Sequence, residues 1–133
     1  MLDAYAIVQA KDQLEIPDDK YATFAARLKK LQDVRRRNQR LRRQIVGELN
    51  RLTMPRAGAA VDDAAIRKQL AALRDHDERS IAELRQAYDS LDEVLDPRQQ
   101  ARFRILEERI EQRKLDLVVR ARERARANRR GGG

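Results

Sequence analysis

The three prolines of this chain, Pro17, Pro55 and Pro97, all fall between long runs of helical periodicity, and none falls inside one. An internal proline removes a backbone donor and collides with the preceding turn, so these positions mark helix boundaries. Four helical segments follow. The first spans about Leu2 to Leu14, with Ala6, Ile7, Ala10 and Leu14 on one side. The second runs from about Asp18 to Leu52 and stops before Thr53-Met54-Pro55-Arg56-Ala57-Gly58. A third opens near Asp62, where Asp62-Asp63 supply a cap and complement the helix dipole. It continues to about Val94, and the fourth runs from Pro97 to about Ala127. No segment alternates with a period of two. The fold class expected is all-α, an elongated four-helix protein with long antiparallel helices.

Projection at about 100° per residue gives one apolar stripe on each long helix. The second helix carries Phe24, Leu28, Leu31, Val34, Leu41, Ile45, Leu49 and Leu52. The third carries Ile66, Leu70, Leu73, Ile81, Leu84, Tyr88 and Leu91, and the fourth Phe103, Leu106, Ile110, Leu117 and Ala121. So few helices cannot cover stripes this long within one small monomer, and a homodimer is expected. Each stripe has a polar interruption near its middle: Asn38, Asp77 and Lys114. Antiparallel alignment of the second and third helices brings Asn38 level with Asp77. A buried polar layer of this kind fixes helix register.

At 133 residues the chain suits a single domain, residues 1–130, followed by a flexible glycine tail, 131–133. Charged residues make up 39% and aromatic residues 4%, which favours a thin helical assembly over a thick core. The absence of cysteine excludes disulfides and thiol chemistry. No apolar run approaches the roughly 20 residues that span a bilayer. The net charge is +8, laid out in alternating blocks: residues 1–26 carry −3, 27–56 carry +9, 57–98 carry −4 and 99–133 carry +6. Such alternation suits basic helices packed beside acidic ones, and the surplus favours acidic partners.

Two segments read as imperfect copies of one motif. The second, Leu95-Asp96-Pro97-Arg98-Gln99-Gln100, places Asp96 as an N-cap, Pro97 at the first helical position and Gln99 as the reciprocal partner of a capping box. The first, Ile16-Pro17-Asp18-Asp19-Lys20-Tyr21, has no side-chain oxygen at Pro17, although Asp18 and Asp19 put negative charge in the first turn. Each copy is followed at the same offset by a phenylalanine, Phe24 or Phe103.

Leu95-Asp96-Pro97-Arg98-Gln99 with Ala101-Arg102-Phe103 resembles the LTxxQ signature of the Spy/CpxP-like periplasmic proteins, which usually carry two copies. Here Asp96 replaces threonine and keeps the cap, whereas the first copy has Pro17 for threonine and Lys20 for glutamine. The resemblance covers about residues 2 to 125. It implies an ATP-independent periplasmic chaperone that shields unfolded client proteins on a basic, partly apolar surface. Met1-Leu2-Asp3-Ala4-Tyr5 carries no signal-peptide pattern. Under the resemblance the chain is therefore the mature form of an exported protein. The same fold also serves regulators that bind a sensor protein of an envelope-stress or metal-responsive system.

The densest charge run is Arg35, Arg36, Arg37, Arg40, Arg42 and Arg43. Arg35 and Arg42 edge the apolar stripe. With Arg43 and the apolar neighbours Leu31, Val34 and Ile45, they form the candidate client-binding surface, where guanidinium groups border aliphatic side chains. A second run, Arg120, Arg122, Arg124, Arg126, Arg129 and Arg130, closes the chain. A nucleic-acid-associated helical protein is a further reading of these runs, but they lack interleaved aromatics and a groove-reading motif. His76 is the single histidine and has no second soft ligand, so neither a metal nor another cofactor is expected. No phosphate loop is present, and neither serine, Ser80 or Ser90, is expected to have a helix-spaced histidine base, which points away from an enzyme.

The two motif copies should differ in strength. Asp96→Ala should cost about 1 kcal/mol, the usual range for a lost N-cap oxygen. Asp18→Ala should cost less, and thermal melts showing equal losses would contradict this ranking.

Overall fold

The computed structural model describes residues 2–54, 56 and 58–131, the side chains of residues 2 and 3 excepted. Met1, linker residues Pro55 and Ala57, and tail residues Gly132 and Gly133 lie outside the described residues. Four helices form: α1 (Leu2–Leu14), α2 (Asp18–Thr53), α3 (Asp63–Asp92) and α4 (Pro97–Gly131). No strand occurs among the described residues. The all-α expectation holds, and α4 continues past Ala127 to Gly131. The chain divides into two compact units, one made of Met1–Tyr21 with Leu95–Gly133, the other of Ala22–Val94.

In the first unit α1 packs on α4. Its end is a Schellman turn. Ile16 N–H donates to the Lys11 carbonyl at 3.2 Å and Glu15 N–H to the Asp12 carbonyl at 3.4 Å. Ala10 and Ile16, the apolar pair that closes such a turn, are both buried. Glu15 takes the left-handed position with φ of 54°, where glycine is the usual occupant.

The start of α4 is the reciprocal capping box expected of the second motif copy. Gln99 N–H donates to Asp96 Oδ1 at 2.7 Å, and Asp96 N–H donates to Gln99 Oε1 at 3.0 Å. Gln99 does more than close this box. Its Nε2 donates to the Leu14 carbonyl at 3.2 Å, satisfying an orphan acceptor at the end of α1. Gln100 Nε2 donates to the Leu95 carbonyl at 3.0 Å. Leu95, Phe103 and Leu106 are buried. By contrast α2 begins without a side-chain cap. Lys20 N–H donates to the Pro17 carbonyl at 3.0 Å, and the exposed Asp18 only approaches Lys11, at 3.6 Å.

The second unit is the antiparallel pair α2–α3. Asp62 caps α3, its side chain accepting from Ala65 N–H at 3.0 Å. At the opposite end Arg27 of α2 donates to the Ser90 carbonyl at 2.6 Å and to Glu93 at 2.9 Å. This places a cation at the negative end of the α3 dipole. Phe24, Leu28, Leu31, Val34, Ala87 and Leu91 are buried near that end.

The inward face of α3 is rotated from its expected stripe. Leu91 is buried and Ile66, Leu73, Leu84 and Tyr88 are half-buried as the stripe expects, but Leu70 and Ile81 are exposed while His76 and Ala87, outside the stripe, are buried. The interior position near the middle therefore belongs to His76 rather than Asp77. A neutral imidazole with a hydrogen-bond partner costs far less to bury than a carboxylate, which explains the choice.

Glu15→Gly should stabilise the fold by about 0.5–1 kcal/mol, because glycine takes the left-handed conformation without the penalty of a Cβ. The Arg98 contact that would be lost is exposed and 3.9 Å long. Chemical denaturation of the two proteins measures the difference, and a destabilised glycine variant would refute the assignment of strain to Glu15.

Candidate functional site

The α2–α3 pair is unevenly packed along its length. The closed end carries the buried residues, while towards the linker Leu41 and Val46 of α2 and Leu70 of α3 are exposed. Ile45, Leu49, Leu52, Ile66 and Leu73 are half-buried there. The apolar stripes continue through this distal half at lower burial than at the closed end. A shallow groove of about 300 Å³ lined by Gln39, Arg42, Arg43 and Val46 opens on it.

The arginine run alongside is mostly engaged within the unit. Arg35 hydrogen-bonds the Tyr88 hydroxyl and stacks 5.3 Å from the ring centre. Arg37 pairs with Glu83 at 2.6 Å, and Arg42 with Asp77 at 3.1 Å. Arg36 pairs with Asp33 on its own helix. Arg43 reaches only the Gln39 carbonyl, at 3.4 Å, and Arg40 has no acidic partner among the described residues. Further along, the hydrogen bond from Arg51 holds the Glu48 carboxyl below its usual range, leaving a pair without net charge.

These positions alter the candidate surface. Leu31 and Val34 are buried in the packing and offer no contact to a ligand. Arg35 and Arg42 tie α2 to α3, Arg35 through the uncharged Tyr88 and Arg42 through Asp77, and Arg42 also lines the shallow groove. Arg43, half-buried Ile45, Val46 and Arg40 form the part that faces solvent. Val46 and Arg40 lie outside the surface expected from the sequence, because Val46 is not on the apolar stripe and Arg40 is on the opposite face. Of the motif residues, Ile16, Leu95 and Phe103 are buried, while Asp96, Pro97 and Gln99 build the α4 cap.

At the centre of α2–α3 lies the polar layer. His76 Nε2 is 3.0 Å from the Asn38 carbonyl and 3.1 Å from Ser80 Oγ one turn on, so Ser80, against expectation, does have a histidine at helical spacing. A carbonyl can only accept, so Nε2 carries the proton and Ser80 shares it. Asn38 is buried, and its Nδ2 has no hydrogen-bond partner among the described residues. Asp77 stays at the rim with Arg42, and the interrupting residue of α4, Lys114, pairs with Glu111 at 3.1 Å. Among the described residues no group of three or more His, Cys, Asp or Glu converges as a metal site. No described helix is long and apolar enough to cross a membrane.

The orphaned amide of Asn38 makes a specific demand. Asn38→Leu should raise stability by about 1 kcal/mol, since it removes a buried unsatisfied donor and adds apolar volume. Urea denaturation checks this; a loss of more than about 1 kcal/mol would mean that the amide is satisfied in solution.

Comparison with protein-family models, with curated proteins and with solved structures finds no match to this chain.

Proposed function

We propose that this protein is an ATP-independent periplasmic chaperone of the Spy/CpxP kind, binding unfolded or aggregation-prone polypeptides on the distal half of α2–α3. The observation that carries this reading is a coincidence of surface types. Incompletely covered leucine, isoleucine and valine side chains lie beside Arg40 and Arg43, which have no acidic partner among the described residues. An unfolded chain presents acidic and apolar groups in no fixed arrangement. A shallow surface with dispersed contacts of both kinds suits it better than an enclosed pocket would. The resemblance of Leu95–Phe103 to the LTxxQ signature supports the same reading. Homodimerisation belongs to the proposal, because a second copy would cover apolar stripe that one copy leaves half-exposed.

Arg40→Gln, Arg43→Gln and Val46→Ser together test the surface without touching the buried residues or the struts. Circular dichroism should show unchanged helix content. Suppression of aggregation of an unrelated denatured client should require about threefold more protein, with the larger effect at low salt where screening is least. A variant that protects the client as well as the parent under those conditions removes the distal surface from consideration.

A further inference from the structure

The C-terminal half of α4 is exposed on every side. Every residue from 115 to 131 is exposed, including Leu115, Leu117, Val118 and Val119 at 48–59%. This segment holds six arginines, Arg120, Arg122, Arg124, Arg126, Arg129 and Arg130, against two acids, Asp116 and Glu123. None of the six has an ion pair among the described residues.

The charges are not scattered. Projection at about 100° per residue puts Leu117, Val118, Ala121 and Ala125 on one stripe, while Leu115 and Val119 fall outside it, beside Arg122 and Arg126. Arg120 and Arg124 flank it on one side, and Arg122, Arg126 and Arg129 on the other. Asp116 and Glu123 both fall on the opposite face. A helix lying in the plane of a membrane surface has this order: apolar side chains inward, cations on both flanks, acids toward water. Arginine suits the flanks because its aliphatic stem lies along the apolar zone while the guanidinium reaches phosphate.

We infer that residues 115–131 of α4 form a docking surface for an anionic phospholipid membrane. Charge complementarity selects this occupant. A second copy of the same segment would bring like charges together. A nucleic-acid backbone would satisfy the arginines but leaves the leucine and valine cluster without a counterpart, and the segment has no aromatic side chain for stacking on bases. A bilayer interface offers anionic phosphate and an apolar layer at the depth where each is needed. Two aliphatic side chains and two alanines are a small anchor, so the attachment is reversible and depends on charge. It is independent of client binding on α2–α3.

The test uses the whole protein and vesicles sedimented at low salt, comparing phosphatidylcholine alone with an equal mixture of phosphatidylcholine and phosphatidylglycerol. The mixed vesicles should bind at least about tenfold more tightly. Combined Arg120→Gln, Arg122→Gln, Arg124→Gln and Arg126→Gln should lose about tenfold or more, whereas the same four changed to Lys should retain most of the binding. Leu117→Ser with Val118→Ser should weaken it several-fold, by roughly the loss of two aliphatic anchors. Helix content by circular dichroism and client protection without lipid should be preserved in the Lys variant, which separates this proposal from the chaperone reading. Equal binding to neutral vesicles, a Gln variant indistinguishable from the parent, or preferential uptake by duplex DNA or polyglutamate over the mixed vesicles would each overturn it.

Discussion

A helix satisfies its own backbone except at its ends, where donors and carbonyls must find other partners. In a chain that is nearly all helix, that constraint concentrates on the turns. Gln99 resolves two of them together. Its side-chain oxygen accepts from Asp96, its side-chain nitrogen donates to Leu14, and its backbone donates to the Asp96 carboxylate. The start of α4 and the end of α1 are thereby joined through one residue. The 13-residue α1 is near the length below which an isolated helix is marginal, so its packing on α4 and this carbonyl bond hold it in place.

The second unit uses another balance. Its buried side chains gather towards the closed end, where Phe24, Leu31 and Leu91 are fully enclosed and Arg27 closes the last turn of α3. Towards the linker, contacts shift to arginine struts. Exposed ion pairs of this type contribute little each, typically below about 1 kcal/mol. Stability therefore falls along the unit in the direction in which apolar exposure rises. Surfaces that must accept varied partners are drawn from such weakly stabilised regions.

The boundaries of the helices were legible in the sequence because caps and breakers act locally. Asp62, Asp96, Pro97 and Gln99 each do their work within four residues. The rotation of α3 was not legible. Leu70 and Ile81 continue a regular apolar spacing, and only the Asn38 carbonyl opposite makes His76 the better interior residue. The second role of Gln99 was hidden for a related reason, since its acceptor lies 85 residues away. The arginine run looked like a free basic edge in one dimension. Tyr88, Glu83 and Asp77 become its partners only once α2 and α3 are in register.

The exposed end of α4 also has a consequence for its own conformation. A segment this exposed has little burial to hold it, and one of its length sits close to the midpoint of the helix–coil equilibrium. Arg120 with Arg124 and Arg122 with Arg126 are like charges four residues apart, which shifts that equilibrium towards coil. Neutralising them shifts it back. Helix formation in this segment is consequently coupled to ionic strength, and any counter-charge that gathers along it acts as a helix-forming agent. The amount of ordered α4 is thus a property of the solution as well as of the sequence.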